Sequence, residues 1–279
     1  MLNRKHLFAL PAVAALTFGL AACGSDTDAK ADSDAEDDGV IRIGASVTPH
    51  AEILEFVNDN LAEDAGIELD IETYDDYVLP NRALDEGDLD ANFYQHLPFF
   101  EEQVEDHGFE FDHFDGVHIE PFALYSNDHD SIEALPEGAT IGVTNDPANQ
   151  VRALDLFVDA GLLEIDEDAG ADASLLDITD NPNDFDFVEL DPEQLVHSLD
   201  DTDASVINGN FALEADLNPA TDSIAIEDGE GNPFSNFVVF RSEDSDRESL
   251  QTLDELLRSD DVRDFIEETW DDGEVIPAF

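Results

Sequence analysis

Residues 140–161 read TIGVTNDPANQVRALDLFVDAG, and this stretch contains a complete strand-to-helix unit. Thr140–Val143 is a short apolar run that predicts a buried strand. Asp146 and Pro147 follow as a helix N-cap and a first helical residue with a preset φ. Apolar side chains then recur at helical spacing until Gly161, which ends the predicted helix. A strand followed directly by a capped helix is typical of α/β folds with mostly parallel sheets.

The same alternation of strand and helix recurs along the rest of the chain. Short apolar or alternating runs predict further strands at Ile41–Ala45, Ile67–Ile71, Phe185–Leu190, Ala204–Ile207 and Phe237–Phe240. Helices are predicted after Thr48-Pro49, over Leu97–Asp106, after Asp191-Pro192, and over Leu250–Trp270 with a break near Ser259. Because the chain exceeds a typical single-sheet domain, we predict two α/β lobes with a small-ligand cleft between them.

The charge of the chain excludes several classes of partner. It has 71 acidic residues against 10 basic ones, which gives a formal net charge of −61. Nucleic-acid partners are excluded, because phosphate binding needs a basic surface. Attraction to anionic lipid head groups is excluded for the same reason. Hydrophobic residues still make up 42% of the chain, so a packed core is expected rather than disorder.

The acidic residues run through the whole chain, which indicates a protein that works in a salty medium. At low salt, this much like charge opposes a compact state. At about 1 M salt the Debye length falls to roughly 3 Å, and the repulsion is screened. We therefore expect the free energy of unfolding to rise with added salt. Denaturant titrations at several salt concentrations test this, and a free energy that does not rise would contradict it.

The first residues are typical of a secretory signal, and the residues around the single cysteine resemble a lipobox. Arg4 and Lys5 precede an apolar stretch, Leu7–Leu20, that is short for a membrane span. The following Leu20-Ala21-Ala22-Cys23-Gly24 resembles the lipobox of bacterial lipoproteins, whose cysteine receives a diacylglycerol. We predict a signal peptide over 1–22, a lipidated Cys23 that anchors the chain to the extracytoplasmic face of the cell membrane, and an acidic tether over 23–38. The alternative is an uncleaved anchor with a chance cysteine.

Motifs of catalysis and cofactor binding are missing from the sequence. It has no nucleophile elbow, Walker loop, dinucleotide fingerprint or HExxH motif, so we expect neither an enzyme nor a cofactor. His107, His113 and His118 lie among acids and give one alternative, a metal-binding or hydrolytic surface lipoprotein. Their spacing is loose, however, and scattered histidines of this kind are more often solvated surface.

Arg152 is the basic residue with the most informative position. It lies near the start of the helix that opens at Asp146, where a ligand carboxylate would meet backbone N–H groups and a guanidinium. A surface arginine paired with Asp155 or Asp159 is an equally good interpretation of the residues alone.

A dense aromatic segment lies earlier in the chain. Phe93, Tyr94, Phe99 and Phe100 are interleaved with Asn92, Gln95 and His96, and Tyr74 and Tyr77 precede them. Aromatic residues at such density are usually core. Apolar walls with a few polar groups also suit a small-ligand pocket.

Several segments, in order, resemble the methionine-binding lipoproteins of ABC importers, the MetQ or NlpA family. The matching segments are TPHAEIL at 48–54, DYVLPN at 76–81, DANFYQHLPF at 90–99, HIEP at 118–121, NDPAN at 145–149, RAL at 152–154 and NGNFA at 208–212. They span most of 39–279. The resemblance implies a type II periplasmic-binding-protein fold, with two crossovers and the ligand in the interlobe cleft. It places lobe one at 39–121 plus 236–279, and lobe two at 122–235.

The resemblance also implies the ligand-binding residues. Tyr77, Tyr94, His96 and Phe99 would surround the thioether side chain of L-methionine, and Arg152 would bind the α-carboxylate. Asn149, Asn210 and Asn236 would hold the α-amino and carboxylate groups of the ligand. The partners implied are the importer's permease and its ATPase.

One departure from the family keeps a second ligand class open. Family members commonly have Phe at the position of Tyr94 and Tyr at the position of Phe99. The aromatic walls are kept, but a hydroxyl group moves. The same fold binding another amino acid or a methionyl dipeptide is therefore the alternative ligand prediction.

Overall fold

The computed structural model describes residues 37–166, 168–170, 173–228 and 232–279. The predicted signal peptide, Cys23 and nearly all of the predicted tether lie outside these residues. Among the helices of the described residues, none is both long and apolar enough to cross a membrane.

The secondary structure of the described residues alternates between strands and helices. The strands are, in chain order, β1 Val40–Ser46, β2 Glu68–Tyr74, β3 Ala91–His96, β4 Phe111–His113, β5 His118–Ile119, β6 Ala123–Tyr125, β7 Thr140–Thr144, β8 Glu164–Ile165, β9 Ile178–Asp180, β10 Asp186–Leu190, β11 Ala204–Ile207, β12 Ser223–Ile226, β13 Asn236–Arg241 and β14 Ile276–Pro277. The α-helices are α1 Glu52–Val57, α2 Glu63–Ala65, α3 Leu79–Glu86, α4 Leu97–His107, α5 Pro147–Asp159, α6 Leu195–Ser198, α7 Gly209–Glu214, α8 Glu248–Leu257 and α9 Asp260–Thr269.

The strands form two main sheets. The larger has the order β14-β5-β13-β3-β1-β2, with β4 also pairing with β13. Its strand β1 lies between β2 and β3 and is parallel to both, whereas β13 is antiparallel to β3. The smaller sheet has the order β10-β7-β11-β6-β12, with β7 parallel to β10 and β11. The parallel strands explain why helices alternate with strands in the sequence.

The chain passes between the two sheets twice. It leaves the larger sheet after Ile119 and enters the smaller one at Ala123, then returns between Ile226 and Asn236. The predicted fold class, a mixed α/β protein with two sheet-rich lobes, is confirmed. The exact lobe boundaries given above stay a prediction.

Each sheet has its own hydrophobic core. In lobe one, Ile41 and Ile43 of β1 pack with Leu54 of α1 and Leu253 of α8, and all four are fully buried. In lobe two, the core around β7 includes the fully buried side chains Phe122, Leu124, Ile141, Val143 and Phe157. Burying a large aliphatic or aromatic side chain contributes about 1.5–3 kcal/mol, so each lobe has a substantial core to hold its strands in place.

The two predicted helix starts at prolines differ in outcome. Thr48 is extended just before Pro49, and the helical residues that follow lead into α1 at Glu52, so the helix predicted after Thr48-Pro49 is present. The Asp191 side chain makes no cap bond, and its Oδ1 accepts a hydrogen bond from Asn145 Nδ2 at 2.6 Å. A 3₁₀ turn and the short helix α6 follow it.

A cluster of charges around Asp90 fastens the start of β3 to its neighbours. The Arg42 side chain donates to both Asp90 carboxylate oxygens at 3.2 Å, and Arg247 Nη1 lies 3.1 Å from Oδ1. Arg241 Nη2 lies 3.8 Å from the same oxygen. Burial alone raises the pKa of Asp90, but the hydrogen bonds from Arg42 and the charge of Arg247 hold that pKa below its ordinary value. Asp90 therefore stays ionised and ties together β1, β13 and the residue before α8.

Candidate functional site

A cavity lies where the carboxyl ends of several parallel strands meet, between the two sheets. The empty space in and around its mouth, including the part open to solvent, is about 360 Å³. Its lining includes all the predicted ligand-binding residues, namely Tyr77, Tyr94, His96, Phe99, Asn149, Arg152, Asn210 and Asn236. The structure thus brings together, from both lobes, residues that are up to 159 positions apart in the sequence. Ligands of open α/β sheets usually bind at such strand ends.

Helix α5 positions two of these residues, and its predicted start is confirmed. Asp146 Oδ1 accepts a hydrogen bond from the backbone N–H of Asn149 at 2.9 Å, and Pro147 is the first helical residue. The same oxygen accepts from Asn149 Nδ2 at 2.8 Å, which fixes the amide. Asn149 and Arg152 lie about one turn apart and are both buried.

Arg152 is not a surface residue, so its predicted alternative partners, Asp155 and Asp159, are wrong. Its guanidinium is paired with Glu227: Nε donates to Oε2 at 2.8 Å and Nη2 to Oε1. Nη2 also donates to the backbone oxygen of Glu120 at 2.9 Å. Among the residues that the structure describes, no hydrogen bond engages Nη1.

Aromatic rings surround the Arg152 guanidinium and hold it in place. Its Cζ lies 4.7 Å from the ring centroid of Phe122 and 4.3 Å from that of Phe234. Both distances are within the range of cation–π attraction.

Three aromatic side chains form the apolar wall of the cavity. The Tyr77 ring centroid lies 5.8 Å from those of Tyr94 and Phe99. The Tyr77 hydroxyl donates to Asn210 Oδ1 at 2.5 Å, and the Tyr94 hydroxyl donates to the Tyr77 backbone oxygen at 3.2 Å. Burial raises the pKa of both tyrosines well above the ordinary value, so both stay protonated.

His96 joins the aromatic wall to α5. Its Nδ1 accepts the backbone N–H of Phe99 at 3.4 Å, so the ring proton is on Nε2, which donates to Asn149 Oδ1 at 2.9 Å. Burial, and then the nearby charge of Arg152, lower the pKa of His96 to about 3. The ring is therefore neutral at any pH near 7 and serves as a hydrogen-bond donor.

Other cavity-lining residues were missed at the sequence level. They are Glu120, Asn208 and Gly209, whereas Gln95, which also lines the cavity, belongs to the aromatic segment described above. Gly209 is needed because a Cβ there would stand only 2.5 Å from the Cβ of Glu120. Glu120 lies in the matching segment HIEP but had no role assigned to it, and Glu227 carried no signal of its own in a chain with 71 acidic residues.

The three histidines proposed as an alternative metal site are not brought together. His107 and His113 are exposed, whereas His118 is fully buried. In the described part of the chain, the group of three side chains with metal-ligand spacing consists of His50, His118 and Glu120. That group lies beside the cavity and not on the surface.

Comparison with known proteins gives one consistent family. Residues 41–279 match the family model described as NlpA lipoprotein. The methionine-binding lipoprotein MetQ of Bacillus subtilis is 35% identical over 263 residues, which is 93% of each chain. The D-methionine-binding lipoprotein MetQ of Escherichia coli is 34% identical over 266 residues, covering 95% of this chain and 96% of that one.

Solved structures agree with this match. A nutrient-binding protein from Burkholderia cenocepacia, solved bound to methionine, is 36% identical with a TM-score of 0.82. The alignment covers 86% of this chain and all of that chain. The structural similarity therefore extends over nearly all of the residues that the structure describes.

Proposed function

Because this chain belongs to the NlpA lipoprotein family, we propose that it is the extracytoplasmic substrate-binding lipoprotein of an ABC importer. Its proposed ligand is methionine, which it delivers to the membrane permease, and the permease is driven by an ATPase. The proposed activity is binding and delivery, and no bond of the ligand is made or broken.

The observation that carries this proposal is the composition of the cavity. One end is a wall of three aromatic rings, and the other carries a buried arginine with asparagine side chains around it. A flexible thioether side chain fits the first end, since sulfur against aromatic rings gains about 0.3–1.5 kcal/mol. An α-carboxylate fits the second, because the guanidinium of Arg152 offers positive charge and a donor, Nη1, there.

Closure of the two lobes on the ligand is the proposed mechanism. The lobes already touch at the cavity: Ala148 N–H donates to Glu102 Oε2 at 3.0 Å, His96 to Asn149, and Tyr77 to Asn210. A ligand that contacts both lobes favours their closed arrangement by its differential affinity for the closed state. The permease would then distinguish the closed, loaded protein from the open one.

Attachment through a lipid on Cys23 is part of the proposal. It is supported by the family's name and by the lipobox-like residues before Gly24. The anchor would keep the binding protein on the extracytoplasmic face of the cell membrane, within reach of its permease.

The proposal is tested by calorimetric titration of methionine into the protein from Gly24 onward, in high salt, after unfolding and refolding to strip bound ligand. We expect saturable one-to-one binding. At about 100 times its Kd, the ligand should also add roughly 2.7 kcal/mol to the free energy of unfolding.

Competitors decide between the alternatives. Both stereoisomers of methionine should be titrated, since relatives are named for methionine and for D-methionine. Glutamine, leucine and glycyl-methionine test the alternative kept open by Tyr94 and Phe99. If the refolded protein is folded and methionine gives no heat while one of these binds, methionine is the wrong ligand.

A further inference from the structure

We propose that Glu102 is a positioning residue for closure of the two lobes, and that it sets how long the ligand stays bound. Its carboxylate, in the lobe of the larger sheet, accepts a hydrogen bond from the lobe of the smaller sheet without lining the cavity. This inference rests on the proposed function, because it concerns the closed state in which the ligand would be held. It names a residue that the resemblance to the family did not single out.

The contact joins α4 in one lobe to the first turn of α5 in the other. Glu102 lies on α4 and is half-buried, and its Oε2 accepts the backbone N–H of Ala148 at 3.0 Å. Ala148 is buried and packs against Tyr94 and Phe99 of the aromatic wall. The start of α5 is therefore held against α4 and against the wall of the cavity.

The N–H group of Ala148 needs an acceptor from outside its own helix, since the first N–H groups of an α-helix have no partner within it. In α5, the Asp146 side chain accepts the N–H of Asn149, and the Asp146 backbone oxygen accepts the N–H of Gln150. Glu102 supplies the acceptor for Ala148. This bond is exchanged for bonds to water when the lobes separate, so it raises the population of the closed state alone.

The position of Glu102 separates closure from direct contact with the ligand. The hydrogen bonds of His96 with Asn149 and of Tyr77 with Asn210 also join the lobes, but all four residues line the cavity. A change in any of them would alter the surroundings of the ligand as well as the closure. Because Glu102 does not line the cavity, replacing it changes the closure and leaves the cavity lining intact.

The acceptor oxygen of Glu102, and not its charge, favours closure. Burial raises the pKa of Glu102, the bond from Ala148 lowers it, and the charges of Asp146 and Asp106 raise it, so the pKa lies above its ordinary value. The closed state thus disfavours the ionised carboxylate relative to the neutral one. A glutamine amide oxygen accepts the same bond without a charge. Glu102→Gln should therefore keep the closed state, whereas Glu102→Ala loses the contact.

The rates of methionine association and dissociation test this role by stopped-flow fluorescence. Since Cys23 is the single cysteine, the protein from Gly24 onward can carry two dyes at introduced cysteines. Asp75→Cys and Glu193→Cys suit this, because both positions are exposed and follow the carboxyl ends of the edge strands β2 and β10. Energy transfer between the dyes then reports the closure of the lobes.

Glu102→Ala should release methionine about 3- to 10-fold faster than wild type, as expected for the loss of one hydrogen bond. Its association rate should stay within about twofold of wild type, because the ligand enters the open form, in which the contact is absent. Glu102→Gln should release methionine at the wild-type rate or more slowly. Glu101→Ala is the matched control, since Glu101 is the exposed neighbour on α4, and its rates should be those of wild type.

Equal release from wild type and Glu102→Ala would overturn the role of Glu102, and so would equally fast release from Glu102→Gln and Glu102→Ala. If the free energy of unfolding of the ligand-free protein fell as much as that of binding, the contact would be merely structural and the proposal wrong. Glu102→Leu has a similar size and no acceptor, so it replaces Glu102→Ala if that variant does not fold. If methionine does not bind, the proposed ligand fails, and the same rates with whichever competitor binds still support or overturn Glu102.

Discussion

Arg152→Ala is expected to weaken methionine binding by about 2–5 kcal/mol, because a ligand carboxylate would be left buried without its cation. The substitution also removes the cationic partner of Glu227, which accepts two hydrogen bonds from Arg152 and one each from Phe122 N–H and Asn232. Part of the loss would therefore come from a disturbed cavity wall. The double variant Arg152→Ala/Glu227→Gln separates the two effects, since it no longer leaves an unpaired carboxylate.

Calorimetry measures the loss, with Arg263→Ala as the control. Arg263 lies on α9 with its guanidinium over the Phe279 ring, 4.5 Å from the centroid, and it does not line the cavity. Its replacement should leave the methionine affinity within a few-fold of wild type. A loss of less than a few-fold in both Arg152 variants would remove Arg152 from the binding site.

Asp90→Asn should lower the free energy of unfolding by about 2–4 kcal/mol, which is a large share of the stability of a typical domain. Asp90 is 8% exposed and is the common anion of Arg42, Arg241 and Arg247. If Asp90 loses its charge, the three guanidinium groups around it repel one another and lose a shared anion. The effect stays below that of a fully buried network because the side chain of Arg42 is 47% exposed.

Denaturant unfolding in high salt measures this change. Asp85→Asn is the control, since Asp85 is an exposed carboxylate of α3, and its effect should stay within about 0.5 kcal/mol. An equally small effect of Asp90→Asn would show that the three arginines find other partners.

The sequence predicted those elements whose signals are local. Capping chemistry located α5, and Gly108 with a φ of 71° ends α4 as expected for a left-handed C-cap. The break near Ser259 is confirmed, because the Ser259 side chain caps α9. The predicted strand Ala204–Ile207 is β11, residue for residue.

Strand β3 was missed because it gives no alternating pattern. Every residue of Ala91–His96 is buried, including Asn92 and Gln95, since one face packs in the core and the other meets Asn81. Buried polar residues that hydrogen-bond to one another break the apolar pattern of a strand. In the sequence alone, such a segment is read as a loop or as the polar wall of a ligand pocket. The segment serves as strand and cavity wall at once.

The predicted ligand-binding residues were named from the resemblance to the family. The residues that hydrogen-bond to them and fix their side chains were not predicted. Arg152 could be named from its place after Asp146, but its partner Glu227 lies 75 positions later among many other acids. Glu120 shows its surroundings only when the fold brings His50 and His118 to it. Such long-range pairing depends on the path of the chain, which a single sequence does not reveal.

The engagement of the arginines has a consequence for the rest of the molecule. Of the seven arginines after the tether, three meet Asp90, one meets Glu227, one meets Asp254, and one lies on an aromatic ring. Five of these seven arginines are thus committed to three acids. The remaining carboxylates can be balanced only by ions from solution, and these gather more closely around the compact chain than around the extended one. Dissolved cations therefore act, in the thermodynamic sense, as ligands of the folded state. The equilibrium between folded and unfolded protein depends on the activity of these cations.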